Sequence, residues 1–259
     1  MTVAVPAVSV IMPLYNSSAF MEESVRSVLC QTFTDFELVL VDDCSTDDTL
    51  AVAETLASKD ARIRVVAQPK NAGACATRNA GVSAARGRYI AFLDSDDQWK
   101  KEKLAIQLAG IHEKNAAFSY TDYVVIDEHG AVIRLNSTPE RMTYHDLMKN
   151  TVIGCSTVVY DSETLGKRYF PLIRKHEDLA LWLSILREIE HAHRCGPALS
   201  LYRVHPGSLS ANKLKAASYT WEIYRRIEGL SLPAAVYYFG QYALSAVRRR
   251  LLHKSRPGV

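Results

Sequence analysis

Apolar, β-branched runs alternate with polar loops and amphipathic stretches along the first part of the chain, and each cycle reads as strand, loop and helix. Ala7–Met12 predicts a strand and PLYNSS a loop. Phe20–Leu29 predicts a helix, with Ser18 as N-cap and Glu22 and Glu23 in its positively polarised first turn. Phe36–Val41 predicts a second strand that runs straight into Asp42 and Asp43. Ser45, with Asp48 three residues on, then predicts a capped helix. Arg62–Ala67 reads as a third strand, Ala74–Ala84 as a helix and RYIAFL as a fourth strand ending at Asp94. Strands that are apolar throughout and separated by helices imply a parallel sheet covered on both faces. Right-handed crossovers bring the strand ends to one edge, so Asp42, Asp43 and the Asp94–Asp97 cluster are expected to meet where open sheets bind ligands.

After Trp99 the pattern changes. Lys101–Lys114 predicts a helix, and AAFSYTDYVVID and AVIRL around a turn at Glu128–Gly130 predict a hairpin, hence a mixed sheet. Cys155–Tyr160 reads as a further strand. His176–Ile189 reads as a helix, with Leu179, Trp182, Leu183 and Leu186 at helical spacing. SLYRVHPGSLS reads as a strand entering a loop, and helices near Lys213–Glu228 and Pro233–Leu252 close the chain.

Composition narrows the class. A chain of 259 residues supports one sizeable core, and 48% hydrophobic with 23% charged residues excludes a disordered or fibrous protein. A formal charge of +3 is too small to imply a nucleic-acid partner, and Arg248, Arg249, Arg250, Lys254 and Arg256 gather near the C-terminus. Five cysteines, Cys30, Cys44, Cys75, Cys155 and Cys195, are odd in number and lack metal-ligand spacing, which fits apolar fillers in a reducing compartment. The opening MTVAVPAVSVIMPLYN lacks a basic region before its apolar run and reads as a strand, so a cytoplasmic body is expected.

LDSDD, residues 93–97, concentrates acidic and hydroxyl groups at a strand end. Close carboxylates repel and need a cation or solvent, and oxygen ligands suit Mg²⁺ or Mn²⁺. Asp94 and Asp96 point the same way if the segment is extended. A solvated, turn-rich loop is the other reading of the same residues.

The series VSVIMPLYN (8–16), ELVLVDDCSTDDT (37–49), NAGACATRNAGVSAARGRYIAFLDSDD (71–97) and HED (176–178) resembles the family-2 glycosyltransferases, over about residues 7 to 210. The resemblance implies the GT-A fold, an α/β Rossmann-like mixed sheet flanked by helices. It divides the chain into a nucleotide-binding half (1–98), an acceptor and catalytic-base half (99–212) and a helical appendage (213–259). It implies a UDP-sugar donor, with Pro13 and Tyr15 supporting the uracil, Asp42 and Asp43 reading base and ribose, and Asn71, Gly73 and Arg78 lining the nucleotide-sugar pocket. Asp94 and Ser95 would face the sugar, Asp96 would ligate Mn²⁺ or Mg²⁺, and Asp97 would orient it. Asp178 would be the catalytic base beside Glu177, and Arg203 and His205 would approach the diphosphate or metal.

That arrangement suits inverting transfer: a cation stabilises the departing diphosphate while a carboxylate across the anomeric carbon deprotonates the attacking hydroxyl. Lys167–Asp178, KRYFPLIRKHED, departs from the usual acceptor segment, and the Gln-x-x-Arg-Trp motif of processive synthases is absent. A single-addition enzyme resembling those of bacterial O-antigen or capsule repeat-unit assembly is implied. LPAAVYYFGQYALSAV, running into RRR, is too short to span a membrane. It fits an interfacial helix on anionic lipid at the cytoplasmic face of the inner membrane; packing on the body or a homodimer contact is the alternative. With a membrane-bound body, the acceptor would be a polyprenyl-diphosphate-linked sugar. A protein or soluble acceptor, a nucleotidyltransferase and a non-catalytic nucleotide-sugar-binding protein are the competing functions.

Overall fold

Every residue of Phe36–Asp42 is buried, as a strand covered on both faces requires. A computed structural model of the chain describes residues 5–173, 176–205 and 213–254. Its first half runs β1 (Val8–Leu14), α1 (Met21–Leu29), β2 (Phe36–Asp42), α2 (Thr49–Lys59), β3 (Ile63–Ala67), α3 (Ala74–Ala84) and β4 (Tyr89–Phe92). Then come β5 (Gln98–Trp99), α4 (Lys103–Lys114), β6 (Phe118–Ile126), β7 (Val132–Asn136), β8 (Arg141–Met142) and α5 (Tyr144–Lys149). β9 (Val159–Asp161), α6 (Ser162–Leu165), α7 (Glu177–Leu186), β10 (Ala192–Arg203), α8 (Lys213–Glu222) and α9 (Leu232–Lys254) complete the order.

Among the described residues the strands form one mixed sheet ordered β3-β2-β1-β4-β9-β6-β10-β5, with β7 beside β6 and β8 beside β10. β1 to β4 pair in parallel, β9 runs antiparallel to both β4 and β6, and β10 returns parallel to β6. The parallel register puts the C-terminal ends of β1, β2 and β4 side by side. One face of the sheet packs Val8, Val10, Met12, Leu38, Leu40 and Trp99, and the other packs Ile11, Phe92, Phe118, Tyr160 and Trp182. α3 lies close on β1 because Gly81 has no side chain: a Cβ there would sit 2.4 Å from Ile11 Cγ2.

Several local expectations are corrected. The N-cap of α1 is Phe20, and the Ser18 amide instead donates to Asp47. Ser45 caps no helix: α2 begins at Thr49, and the Ser45 hydroxyl turns back to Asp42. Cys155–Thr157 is a 3₁₀ turn that leaves only Val159–Asp161 as strand. Asp94–Asp97 is a β-turn closed by the Asp97 amide on the Asp94 carbonyl (3.0 Å), so the segment is folded and not extended. The part of the predicted loop at 206–210 and the Arg256 end of the basic tail lie outside the described residues.

Candidate active site

Three loops meet at the carboxyl edge of β1, β2 and β4. Asn16 and Cys44 adopt left-handed backbone conformations that reverse the chain just beyond β1 and β2. The Asn16 side-chain oxygen accepts from the Thr46 amide (2.8 Å), and the Asn16 amide donates to Ser45 Oγ (3.1 Å). Ser45 in turn gives its hydroxyl and amide to Asp42 (2.5 and 3.1 Å), which is buried. Asp43, also buried, accepts from Gln68 Nε2 and the amides of Ala72 and Gly73, all within 2.9 Å. Its own carbonyl accepts from Asn71 Nδ2 (3.2 Å). Gly73 enters α3 at φ 84°, a conformation open to glycine. The two aspartates therefore shape the loops. Tyr15 stands half exposed at the mouth, and Pro13 lies past the last β1–β4 pair.

Deeper in the cleft, Arg78 of α3 joins segments remote in sequence. Its Nη2 donates to Asp94 Oδ1 (2.6 Å) and its Nη1 to Glu177 Oε1 (2.9 Å), with the Phe170 ring 5.5 Å from the guanidinium. Asp178 follows Glu177 at the start of α7. Burial and the charge of Glu177 push its carboxyl up to about 7, against the pull of the Leu179 amide and Arg78. One guanidinium thus bridges Asp94 and Glu177 and lies within the field of a third carboxyl, Asp178. The Cys155 thiol is pushed well up by burial and lies within the field of Arg78, Asp94, Asp178 and Glu177.

The 94–97 turn closes the other side. Ser95 Oγ donates to Ser17 Oγ (2.9 Å). Burial and neighbouring Asp94 raise the Asp96 carboxyl, opposed by a 3.1 Å contact from its Oδ2 to His205 Nε2. Asp97 is buried, accepting from Ser156 Oγ (2.5 Å) and the Arg203 amide (2.9 Å). The Arg203 guanidinium is buried and committed to the Asp96 carbonyl (2.9 Å), the Glu128 carbonyl (2.9 Å) and Glu23 (2.7 Å), above the Phe20 ring.

The structure thus brings Arg78, Asp94, Glu177 and Asp178 together, sets Ser95, Asp96 and His205 beside them through one turn, and leaves Asp42, Asp43, Asn71 and Gly73 at the loop edge. Arg203 and Asp43 act from behind the surface. Glu23 and Ser156 escaped sequence reasoning. Glu23 looks like an ordinary first-turn carboxylate, and Ser156 falls in a run that reads as plain strand; no local signal marks either.

The model of the family "Glycosyl transferase family 2" matches residues 9–170. The chain belongs to this family of glycosyltransferases. It is 45% identical, over 95% of its length and 98% of the relative, to TuaG of Bacillus subtilis (strain 168), named as a teichuronic acid biosynthesis glycosyltransferase. It is 37% identical, over 93% of its length and 94% of the relative, to the Escherichia coli protein named UDP-Glc:alpha-D-GlcNAc-diphosphoundecaprenol beta-1,3-glucosyltransferase WfgD. The crystal structure of S. aureus TarS 1-349 in complex with UDP-GlcNAc superposes with a TM-score of 0.71 at 23% identity, covering 91% of this chain and 71% of that one. The mixed sheet flanked by helices is the GT-A fold, and this glycosyltransferase carries it.

Proposed function

We propose that this glycosyltransferase moves a sugar from a UDP-sugar, with inversion, to a hydroxyl of a polyprenyl-diphosphate-linked saccharide in the assembly of a surface polysaccharide. The observation that carries the reading is the Arg78 bridge, which ties Asp94 at the sugar end to Glu177 beside a carboxyl that titrates near neutrality. The name of WfgD supports the donor and acceptor classes.

Asp178 is the general base: a carboxyl with a pKa about 7 accepts a proton far more readily than an ordinary aspartate and is still substantially ionised at neutral pH. Glu177, held by Arg78, orients the acceptor, and Asp94 on the same guanidinium faces the donor sugar. Asp43 and Asn71 hold the loop against which the nucleoside rests, with Tyr15 free to cover the uracil. Arg203 positions the turn instead of touching the diphosphate, since its guanidinium is buried and holds the Asp96 and Glu128 carbonyls and Glu23.

The donor set also fits a divalent cation. Among the described residues no group of three His, Cys, Asp or Glu forms a ready-made cage. Mg²⁺ and Mn²⁺ nevertheless bind through one or two protein groups plus substrate phosphates. Asp96, with its raised carboxyl, and His205 would hold the ion, which would offset the charge gathering on the departing diphosphate.

The enzyme would work at the cytoplasmic face of the membrane. Leu232, Val236, Tyr237, Leu244 and Val247 are 43–57% exposed on α9, and this solvent face carries no charge until Arg248. Among the described residues no helix is long and apolar enough to cross a membrane, so such a face would rest in the interface.

The test is to incubate the protein with a panel of UDP-sugars, UDP-glucose first, Mn²⁺ and GlcNAc-diphosphoundecaprenol. Labelled sugar is expected in the lipid extract. Label that stays with water or protein for every donor would reject the acceptor class.

A further inference from the structure

The 94–97 turn has few bonds of its own to hold it. It carries three carboxyl groups within four residues and a single internal backbone hydrogen bond, from Asp97 to Asp94. Carboxyl groups this close and this buried need hydrogen-bond partners from outside the turn. Among the described residues, one side chain ties both ends. Ser156 Oγ accepts from the Asp94 amide (3.2 Å) and donates to Asp97 Oδ2 (2.5 Å).

The carbonyl of the same residue accepts from Trp99 Nε1 (2.7 Å) and Ser200 Oγ (2.8 Å), side chains of the paired strands β5 and β10. Three residues after Ser200, the Arg203 amide reaches the second oxygen of Asp97 (2.9 Å), and the Arg203 guanidinium holds the carbonyl of Asp96 (2.9 Å). The circuit from Ser156 through Asp97, Arg203 and β10 back to Ser156 is closed. His205, two residues beyond, is thereby set against Asp96. The 3₁₀ turn that presents Ser156 is itself braced by Thr157 Oγ1 on the Gly154 carbonyl (2.7 Å), and its Cys155 neighbours the Arg78 cluster.

We propose that Ser156 is a positioning residue that sets Asp94, Asp96 and His205 in register for the donor diphosphate and its cation. The inference rests on the donor reading above and goes beyond it in assigning the register to a residue outside every motif. A hydroxyl is what the place requires: it must accept from one end of the turn while donating to the other, which a serine does and an alanine cannot.

The test is titration calorimetry of UDP in the presence of Mn²⁺, with thermal melting run in parallel. Ser156→Ala and the near-isosteric Ser156→Cys are expected to weaken UDP–Mn²⁺ binding by about tenfold, the scale seen when a partner behind a metal ligand is removed. Ser156→Thr, which keeps the hydroxyl, should recover most of it. In an Asp97→Asn background the alanine change should cost much less than in the wild type, because the two share one interaction. Wild-type affinity in both Ser156→Ala and Ser156→Cys overturns the proposal, as does an undiminished loss in the Asp97→Asn background. A wild-type chain that binds no UDP overturns the donor reading and this role with it, an outcome distinct from a variant that binds as well as wild type.

Discussion

Asp43 and Asp178 are the same side chain in two halves of one cleft, and the protein treats them oppositely. Asp43 directly follows β2 of the parallel half and receives a side-chain amide and two backbone N–H groups, so its carboxylate is satisfied and holds a loop. Asp178 lies in the first turn of α7 with the adjacent Leu179 amide for a donor, and burial, then the charge of Glu177, push its carboxyl up to about 7. A carboxylate surrounded by donors builds structure; one left short of them keeps its affinity for a proton and is available for chemistry.

The sharpest way to break this contrast is to remove the proton acceptor. Asp178→Asn should lower kcat by about 10³-fold, within the range for general-base loss, while UDP binding by calorimetry stays within twofold. Full turnover by this variant would end its role as base. The wild-type kcat/KM should climb with pH and level off above about 7, following ionisation of the base.

Asp43→Ala should act on stability instead. Three donors lose their acceptor, and a cost of about 3 kcal/mol is expected in urea unfolding, together with weakened UDP binding as the 71–73 loop slackens. Unchanged unfolding would show that the loop holds itself.

The pH dependence of melting tests Asp178 separately. Folding holds the Asp178 carboxyl protonated up to about 7, whereas an unfolded aspartate ionises near 4. Its contribution to stability is therefore complete below about pH 4 and is lost as pH rises through about 7. The Tm of Asp178→Asn relative to wild type should rise by a few degrees between pH 4 and 8. A constant difference would place the shift elsewhere.

The smallest effect concerns the far end of the molecule. Val236→Asp with Val247→Asp, both on the exposed face of α9, should reduce flotation with anionic liposomes severalfold and leave transfer to a detergent-solubilised acceptor unchanged. Equal flotation would reject a membrane role for this face.

Periodicity within single segments was enough to reveal β1 to β4, the helices between them and the convergence of Asp42–Asp43 with Asp94–Asp97, because parallel strands joined by right-handed crossovers leave little topological choice. The motif series also identified the family and the chemical types at the edge. Tertiary structure alone decided which groups are spent and which are free: Arg78 reaching Glu177 across 99 residues, Arg203 turned inward, and Ser156 tying both ends of the acidic turn. The reason is physical. A strand or helix announces itself through neighbours a few residues away, whereas the burial and hydrogen-bond partners that set a side chain's charge come from chain segments whose meeting depends on the whole packed sheet.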